Sequence, residues 1–220
     1  MERLARLVPI ARTIAWPALL GGALACAALT LVAYAVDDSP LGRWPGLGAL
    51  ALCTGAAFLL DDVAQATAGA TPTSLARRRI VRIALALPLL CGIWIATLWY
   101  ATSAAGTSYG PDARGVLTLQ FAAMLALTLA ASAVALRAMP DHPGGWTGVI
   151  APFALLGIAY ALPHRWTLFA TPGDAAWPAT QWRWASLLAV ALLTLAWASR
   201  DPARRGRRVH KRLRKRAVTA

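Results

Sequence analysis

The chain has 220 residues, of which 58% are hydrophobic and only 14% are charged. A soluble domain averages about 25% charged residues, so this composition argues against a soluble fold. The net charge of +13 is uneven, because ten of the 22 Lys and Arg residues lie between Arg200 and Arg216.

The apolar residues form six runs that approach the roughly 20 residues a helix needs to cross a bilayer. The first run is too long for the 7–15-residue apolar region of a signal peptide, so we expect it to be retained. The second run is short, at about 22 Å of helix, and requires either a helical extension through Asp61 and Asp62 or a locally thin bilayer. The predicted spans are Thr13–Val36, Gly46 to about Leu60, about Ile80 to Ser103, Gly115–Met139, Trp146–Pro163 and Arg183–Ser199.

The predicted fold class is therefore all-α, a polytopic bundle of six transmembrane helices over residues 13–199. A basic leader occupies residues 1–12, and a polybasic, disordered tail occupies residues 200–220. Six spans put both termini on the same side of the membrane.

The positions of the basic residues predict which side that is. The terminus side carries 18 Lys and Arg residues and the other side carries 4; without the tail the ratio is 8 to 4. The positive-inside rule then places both termini in the cytoplasm, and we expect a bacterial plasma membrane. Tryptophans near the span ends, Trp16, Trp146 and Trp197 among them, are typical of headgroup-level anchoring.

Motifs for chemistry are missing from the sequence. Cys26, Cys53 and Cys91 each lie inside an apolar run and form no C-x-x-C pair, so we expect no metal and no cofactor. The predicted topology separates His142 from His164, and no zinc-protease or serine-hydrolase motif occurs. These patterns predict that the chain is not an enzyme.

Small residues recur at four-residue spacing within several spans. Ala18, Gly22, Cys26 and Thr30 share one face of the first span, and Ala51 and Gly55 share one face of the second. Small residues let helices approach closely in lipid, so these faces are candidate helix contacts.

The span interiors hold no charged residue near their middle. Arg82 and Arg137 lie close enough to the cytoplasmic interface for their side chains to snorkel. This pattern argues against an ion-coupled transporter. An ATP-driven system would need a separate ATPase, because the chain has no P-loop motif and its only lysines are Lys211 and Lys215.

The longest polar interruption between two apolar runs lies between the second and third spans. It begins with Asp61 and Asp62, passes through Thr71, Pro72, Thr73 and Ser74, and ends on Arg77, Arg78 and Arg79. Six spans and this charged cytoplasmic loop resemble the membrane subunits of ABC-2-type exporters. In that family the loop begins with an acidic residue and reaches a Thr-Pro-x-Ser/Thr-x-Arg-like turn; here Gln65–Ala70 replaces its usual leucine-rich stretch.

The resemblance implies an exporter that moves a hydrophobic or amphipathic compound. It implies docking of a separate ABC ATPase through the 61–82 loop, with Asp61, Asp62, Pro72, Arg77, Arg78 and Arg79 as the docking residues, and pairing with a second membrane subunit. A different interpretation of this loop is an ordinary cytoplasmic connection that carries topology-setting arginines.

The basic tail is a second signal. A cationic segment beside a membrane attracts anionic lipids, whereas nucleic-acid contact is not expected because the tail has no interleaved aromatic residues. The predicted lipid-contacting residues are Arg204, Arg205, Arg207, Arg208, Lys211, Arg212, Arg214, Lys215 and Arg216.

Two other functions remain open from the sequence. The chain could be a non-catalytic structural, regulatory or immunity-type membrane protein, which predicts no ATPase partner. An intramembrane enzyme would need converging polar residues, and the spans offer only Thr, Ser and Gln120.

Overall fold

The fold is described from a computed structural model, which covers residues 13–36, 44–61, 75–104, 111–139, 142–161, 163, 166–169 and 175–200. Within these ranges the backbone forms six α-helices and no β-strand, and the predicted all-α class is confirmed. The helices are α1 (Trp16–Val36), α2 (Trp44–Ala56, continued by a 3-10 turn at Ala57–Leu60), α3 (Leu75–Ala104), α4 (Pro111–Ala138), α5 (Gly145–Ala161) and α6 (Trp177–Ala198).

Three of these helices are long and apolar enough to cross a membrane. The qualifying segments are Trp16–Ala33 in α1, Ala76–Ser103 in α3 and Ala113–Ala138 in α4. Gly46–Leu60 and Gly145–Ala161 are shorter apolar helices. These long apolar helices are those of a membrane-embedded protein.

The outer surface of the bundle is apolar. Leu24 is 72% exposed, Ile95 is 64% exposed and Leu193 is 70% exposed. Exposed large apolar side chains in this number are rare on soluble monomers and are typical of a surface that meets lipid or another protein.

Proline explains where four of the six helices begin. A Trp-Pro pair opens α1 (Trp16 and Pro17), α2 (Trp44 and Pro45) and α6 (Trp177 and Pro178), and Pro111 opens α4. Proline suits the first helical turn because its backbone angle φ is already helical and the N–H it lacks would have no partner inside the helix.

The central helix of the bundle is α4. Of its apolar segment, 72% of residues are buried, against 22% for α1 and 28% for α3. Helix α4 packs against α2, α5 and α6, and a stacked pair, Trp94 and Phe121, with ring centroids 4.7 Å apart, joins it to α3. The other helices therefore pack around α4 and expose apolar side chains on the faces that point away from it.

The predicted small-residue faces of α1 and α2 do meet. A Cβ added to Gly22 would lie 2.6 Å from the carbonyl oxygen of Ala51, and one added to Gly55 would lie 2.7 Å from that of Ala18. Real Cβ atoms do not approach so closely. The two backbones touch here because neither glycine has a side chain.

Several helix boundaries differ from the sequence-based prediction, and three of the differences affect how the charged residues are placed. Asp61 has an extended backbone, so the predicted helical extension of the second span through this residue is wrong. Helix α3 begins at Leu75 rather than Ile80, which moves the three arginines at 77–79 from a loop into the first turns of a helix. Helix α6 begins at Trp177 rather than Arg183. Hydropathy locates the first apolar side chains of a span. A helix can begin before them, because polar residues also adopt helical backbone angles.

Candidate functional site: a polar clamp at one end of the bundle

The carboxylate of Asp61 binds the start of α5. Its Oδ1 accepts hydrogen bonds from the backbone N–H groups of Gly144, at 2.9 Å, and Gly145, at 3.1 Å, and its Oδ2 accepts a 3.2 Å bond from Gly145. The first N–H groups of a helix have no partner within the helix, and their partial positive charge favours a carboxylate. Asp61 therefore caps a helix that lies more than 80 residues further along the chain.

Glycine is needed at both amide positions. A Cβ on Gly144 would lie 2.6 Å from the carbonyl oxygen of Ser132. A Cβ on Gly145 would collide with the ring of Phe58 and lie 2.8 Å from Oδ2 of Asp61. The close approach of Asp61 to the start of α5 thus depends on two residues without side chains.

Burial raises the pKa of Asp61 above its ordinary value. The hydrogen bonds from Gly145 and Gly144 and the positive charge of Arg82 act in the opposite direction, because they stabilise the carboxylate form, but they do not cancel the effect of burial.

The side chain of Arg82 joins three segments. Arg82 is only 4% exposed. Its Nη1 donates to the backbone carbonyl of Asp61 at 3.1 Å, and its Nη2 donates to the hydroxyl of Thr13 at 2.8 Å. The sequence predicted that Arg82 would snorkel towards water, but its guanidinium is held inside the protein between the start of α1 and the end of the 3-10 turn.

Arg79 and Arg137 bind the end of α6. Nη1 of Arg79 donates to the carbonyl of Ala198 at 3.1 Å. Nη1 of Arg137 donates to the carbonyls of Trp197, at 2.9 Å, and Arg200, at 3.2 Å, and its guanidinium lies 4.5 Å from the centre of the Trp197 ring. Cations near the last carbonyls of a helix are favourable, because those carbonyls carry partial negative charge.

We refer to Asp61, Arg79, Arg82 and Arg137 as the polar clamp. Its hydrogen bonds reach the segment that leads into α1, the end of the 3-10 turn after α2 and the starts of α3 and α5. They also reach the ends of α4 and α6. The starts of α1, α3 and α5 thus lie at the same end of the bundle as the ends of α2, α4 and α6, so successive helices run in opposite directions. Charged side chains hold this end of the bundle together.

The structure separates the predicted docking residues into two groups. Asp61 and Arg79 are engaged in the polar clamp, whereas Arg77 is exposed and Arg78 is half-buried. Asp62, Pro72 and the predicted lipid-contacting residues of the tail lie outside the described residues. The sequence signal that could have identified the clamp is the (i, i+3) spacing of Arg79 and Arg82, which puts both on one face of a helix.

Further polar groups lie between the helices. The hydroxyl of Ser132 on α4 donates to the carbonyl of Ala57 at 2.9 Å, and the Cys26 thiol lies 3.5 Å from the hydroxyl of Thr97. In the described part of the chain, no three His, Cys, Asp or Glu side chains are grouped so that they could hold a metal ion.

At the opposite end of the bundle, two side chains of α6 bind two residues of the segment that precedes this helix. Nε1 of Trp184 donates to the carbonyl of Leu168 at 2.7 Å, and Nη1 of Arg183 donates to that of Thr167 at 2.6 Å. Beside these residues, an open groove of about 430 Å³ runs along the outer face of α6, lined by Trp182, Arg183, Ser186, Leu187 and Val190.

Comparison with known proteins gives no relative for this chain. No family model matches it, and no match was found among curated proteins or solved structures.

Proposed function

We propose that the chain is the membrane-spanning subunit of an ATP-driven exporter of the ABC-2 type. In this proposal all six helices cross the membrane, both termini are cytoplasmic, and the polar clamp lies at the cytoplasmic end. A separate ATPase binds the segment between α2 and α3, a second membrane subunit completes the assembly, and the cargo is a hydrophobic or amphipathic compound.

Helix lengths support six spans. Helix α2 rises about 20 Å over its 13 residues, and the four-residue 3-10 turn adds about 8 Å at about 2 Å per residue. The sum approaches the roughly 30 Å hydrocarbon thickness. Helix α5, with 17 residues, reaches about 25 Å, and α6, with 22 residues, reaches about 33 Å.

The observation that carries the docking proposal is the bond between Arg82 and the Asp61 carbonyl. It joins Asp61, the residue before the 62–74 segment, to the third turn of α3, the helix that follows the segment. From this junction, hydrogen bonds reach α1 through Thr13 and α5 through Gly144. A displacement of the segment by an ATPase would thus act directly on the helix ends.

Arg77 is the described residue best suited to meet the ATPase. It lies in the first turns of α3, its side chain is exposed, and it takes no part in the polar clamp. We expect it to contact an acidic residue of the partner. Asp61 and Arg79 would act indirectly, by holding the helices that the segment joins.

Co-purification in mild detergent tests this proposal. The tagged chain, expressed with a candidate ABC ATPase, is expected to retain that ATPase, and Arg77→Glu is expected to release it. Arg114→Glu is the matched control, because Arg114 is also exposed near the start of a helix but at the opposite end of the bundle. Recovery of the chain alone, from cells that express the ATPase, would refute the proposal.

A second candidate function is a structural, regulatory or immunity-type membrane protein. It is favoured by the use of Asp61 and Arg79 in internal hydrogen bonds, which is what a rigid scaffold needs and a docking surface does not. This alternative predicts that no ATPase is retained and that Arg77→Glu changes nothing.

A further inference from the structure

The C-terminal end of α6 gathers positive charge from two other helices. Arg79 reaches it from α3 and Arg137 reaches it from α4, and each donates through Nη1 to a terminal carbonyl. The charges of Arg137 and Arg82 are also close enough to repel the guanidinium of Arg79. Arg79 thus lies between two other cationic side chains, both of which act against its positive charge.

The described residues compensate this charge only in part. Asp61 is the one carboxylate among them at this end of the bundle, and its oxygens are bound by the start of α5. The terminal carbonyls of α6 supply a partial negative charge of about half a unit. Among the described residues, the cluster therefore keeps an excess of positive charge.

Donor capacity remains on both arginines. A guanidinium has five N–H donors in a planar fork that matches the oxygens of a phosphate group. Within the described ranges, the hydrogen bonds of Arg79 and Arg137 use only Nη1. Arg137 is half-buried and Arg79 is 6% exposed, so a further acceptor would meet Arg137 first and Arg79 behind it.

Exposed apolar side chains lie close to the cluster along the chain. Trp197, against which Arg137 is stacked, is 48% exposed, and the neighbouring Ile80 and Met139 are 64% and 52% exposed. Charged donors thus sit directly beside outward-facing apolar side chains at the ends of apolar helices. A soluble anion would use only the donors, whereas a phospholipid would also cover the apolar side chains.

We propose that Arg137 and Arg79, with the indole of Trp197, bind the phosphate group of one anionic phospholipid at the end of α6. The phosphate accepts hydrogen bonds from the free edges of the two guanidiniums, and the acyl chains lie along the exposed faces of α3 and α6. None of these three residues belongs to the tail, and the site does not depend on an ATPase partner.

Native mass spectrometry of the full-length protein in detergent tests the proposal. Phosphatidylglycerol and phosphatidylcholine are titrated separately, and the affinity of the first bound lipid is compared. We expect phosphatidylglycerol to bind more tightly, and Arg137→Gln to weaken that first binding by about fivefold or more. Arg114→Gln, at the other end of α4, is the matched control and should leave it unchanged. The wild type and both variants carry the same tail, so lipid binding by the tail is the same in all three.

Four results would overturn the proposal: equal affinity for the two lipids, equal affinity in the wild type and Arg137→Gln, equal losses in Arg137→Gln and Arg114→Gln, or saturation of the site by inorganic phosphate alone. The proposal would also be overturned if phosphatidylglycerol bound tightly only to Asp201→Asn. Asp201, the residue after Arg200 in the sequence, would then be the group that occupies the site in the wild type. Circular dichroism of each variant establishes that the helices are retained.

Discussion

The backbone N–H of Gly144 donates a 2.9 Å hydrogen bond to Oδ1 of Asp61, across 83 residues of sequence. This contact joins the end of the second helical segment to the start of the fifth. Asp61 acts here as an N-cap contributed from a distant part of the chain, and the first prediction follows from that role.

Asp61→Ala should destabilise the protein by about 1 kcal/mol, the usual cost of losing a helix N-cap. Asp61→Asn should cost less than half as much, because the amide oxygen can still accept a hydrogen bond from Gly144. The midpoint of thermal unfolding in detergent measures both changes. Equal losses for the two variants would show that the charge of Asp61, and not its acceptor oxygen, holds α5.

Stability should also depend on pH through Asp61. Burial raises the pKa of this carboxyl in the folded protein, so the folded state binds more protons than the unfolded state between the ordinary value near 3.8 and the raised value. The free energy of unfolding should therefore fall as pH rises through this window. The free energy of unfolding of the wild type minus that of Asp61→Asn isolates this contribution. We expect the difference to fall as pH rises, and a difference that rises with pH would contradict the prediction.

The contact between α1 and α2 should tolerate no added methyl group. Gly22→Ala is expected to destabilise the protein by about 1–3 kcal/mol, the range for overpacking a close contact. Gly21→Ala is the matched control, because a Cβ there meets nothing within 4 Å. It should be neutral or slightly stabilising, since alanine favours helix over glycine by up to about 1 kcal/mol. Similar unfolding midpoints for the two variants would contradict the close approach of α1 to α2.

The contact between α4 and α5 offers a double-mutant test. A Cβ on Gly148 would collide with the hydroxyl oxygen of Ser132, so Gly148→Ala should destabilise the protein, whereas Gly157→Ala, with open space around it, should not. Adding Ser132→Ala should recover part of the loss, although it removes the bond to Ala57. We expect a coupling free energy of about 0.5–3 kcal/mol from unfolding measurements, and strict additivity would contradict the contact.

The sequence was sufficient to predict the helical class and the contact faces on α1 and α2. Long apolar runs leave helix as the structure that satisfies backbone hydrogen bonds in lipid, and the spacing of Gly22 and Gly55 marks where backbones can touch. Which small-residue faces would pair was not predictable, because alanine-rich helices offer many equivalent faces.

The polar clamp was only partly predictable. Asp61 and Arg79 stood out as charged residues beside apolar runs, and surface docking was the simplest hypothesis for them. Their internal partners are backbone groups, the amides of Gly144 and Gly145 and the carbonyl of Ala198. Backbone partners leave no mark in the sequence, so long-range capping of this kind becomes visible only once the helices are packed.

The side of the membrane on which the polar clamp lies is central to the proposed function, and cysteine accessibility measures it most directly. Thr73→Cys and Ser108→Cys put a thiol in the segments 62–74 and 105–110, and the unaltered chain gives the background labelling of its native cysteines. We predict that a membrane-impermeant maleimide labels Ser108→Cys in intact cells and labels Thr73→Cys only after permeabilisation. Labelling of Thr73→Cys in intact cells would put the clamp outside the cell and contradict the account.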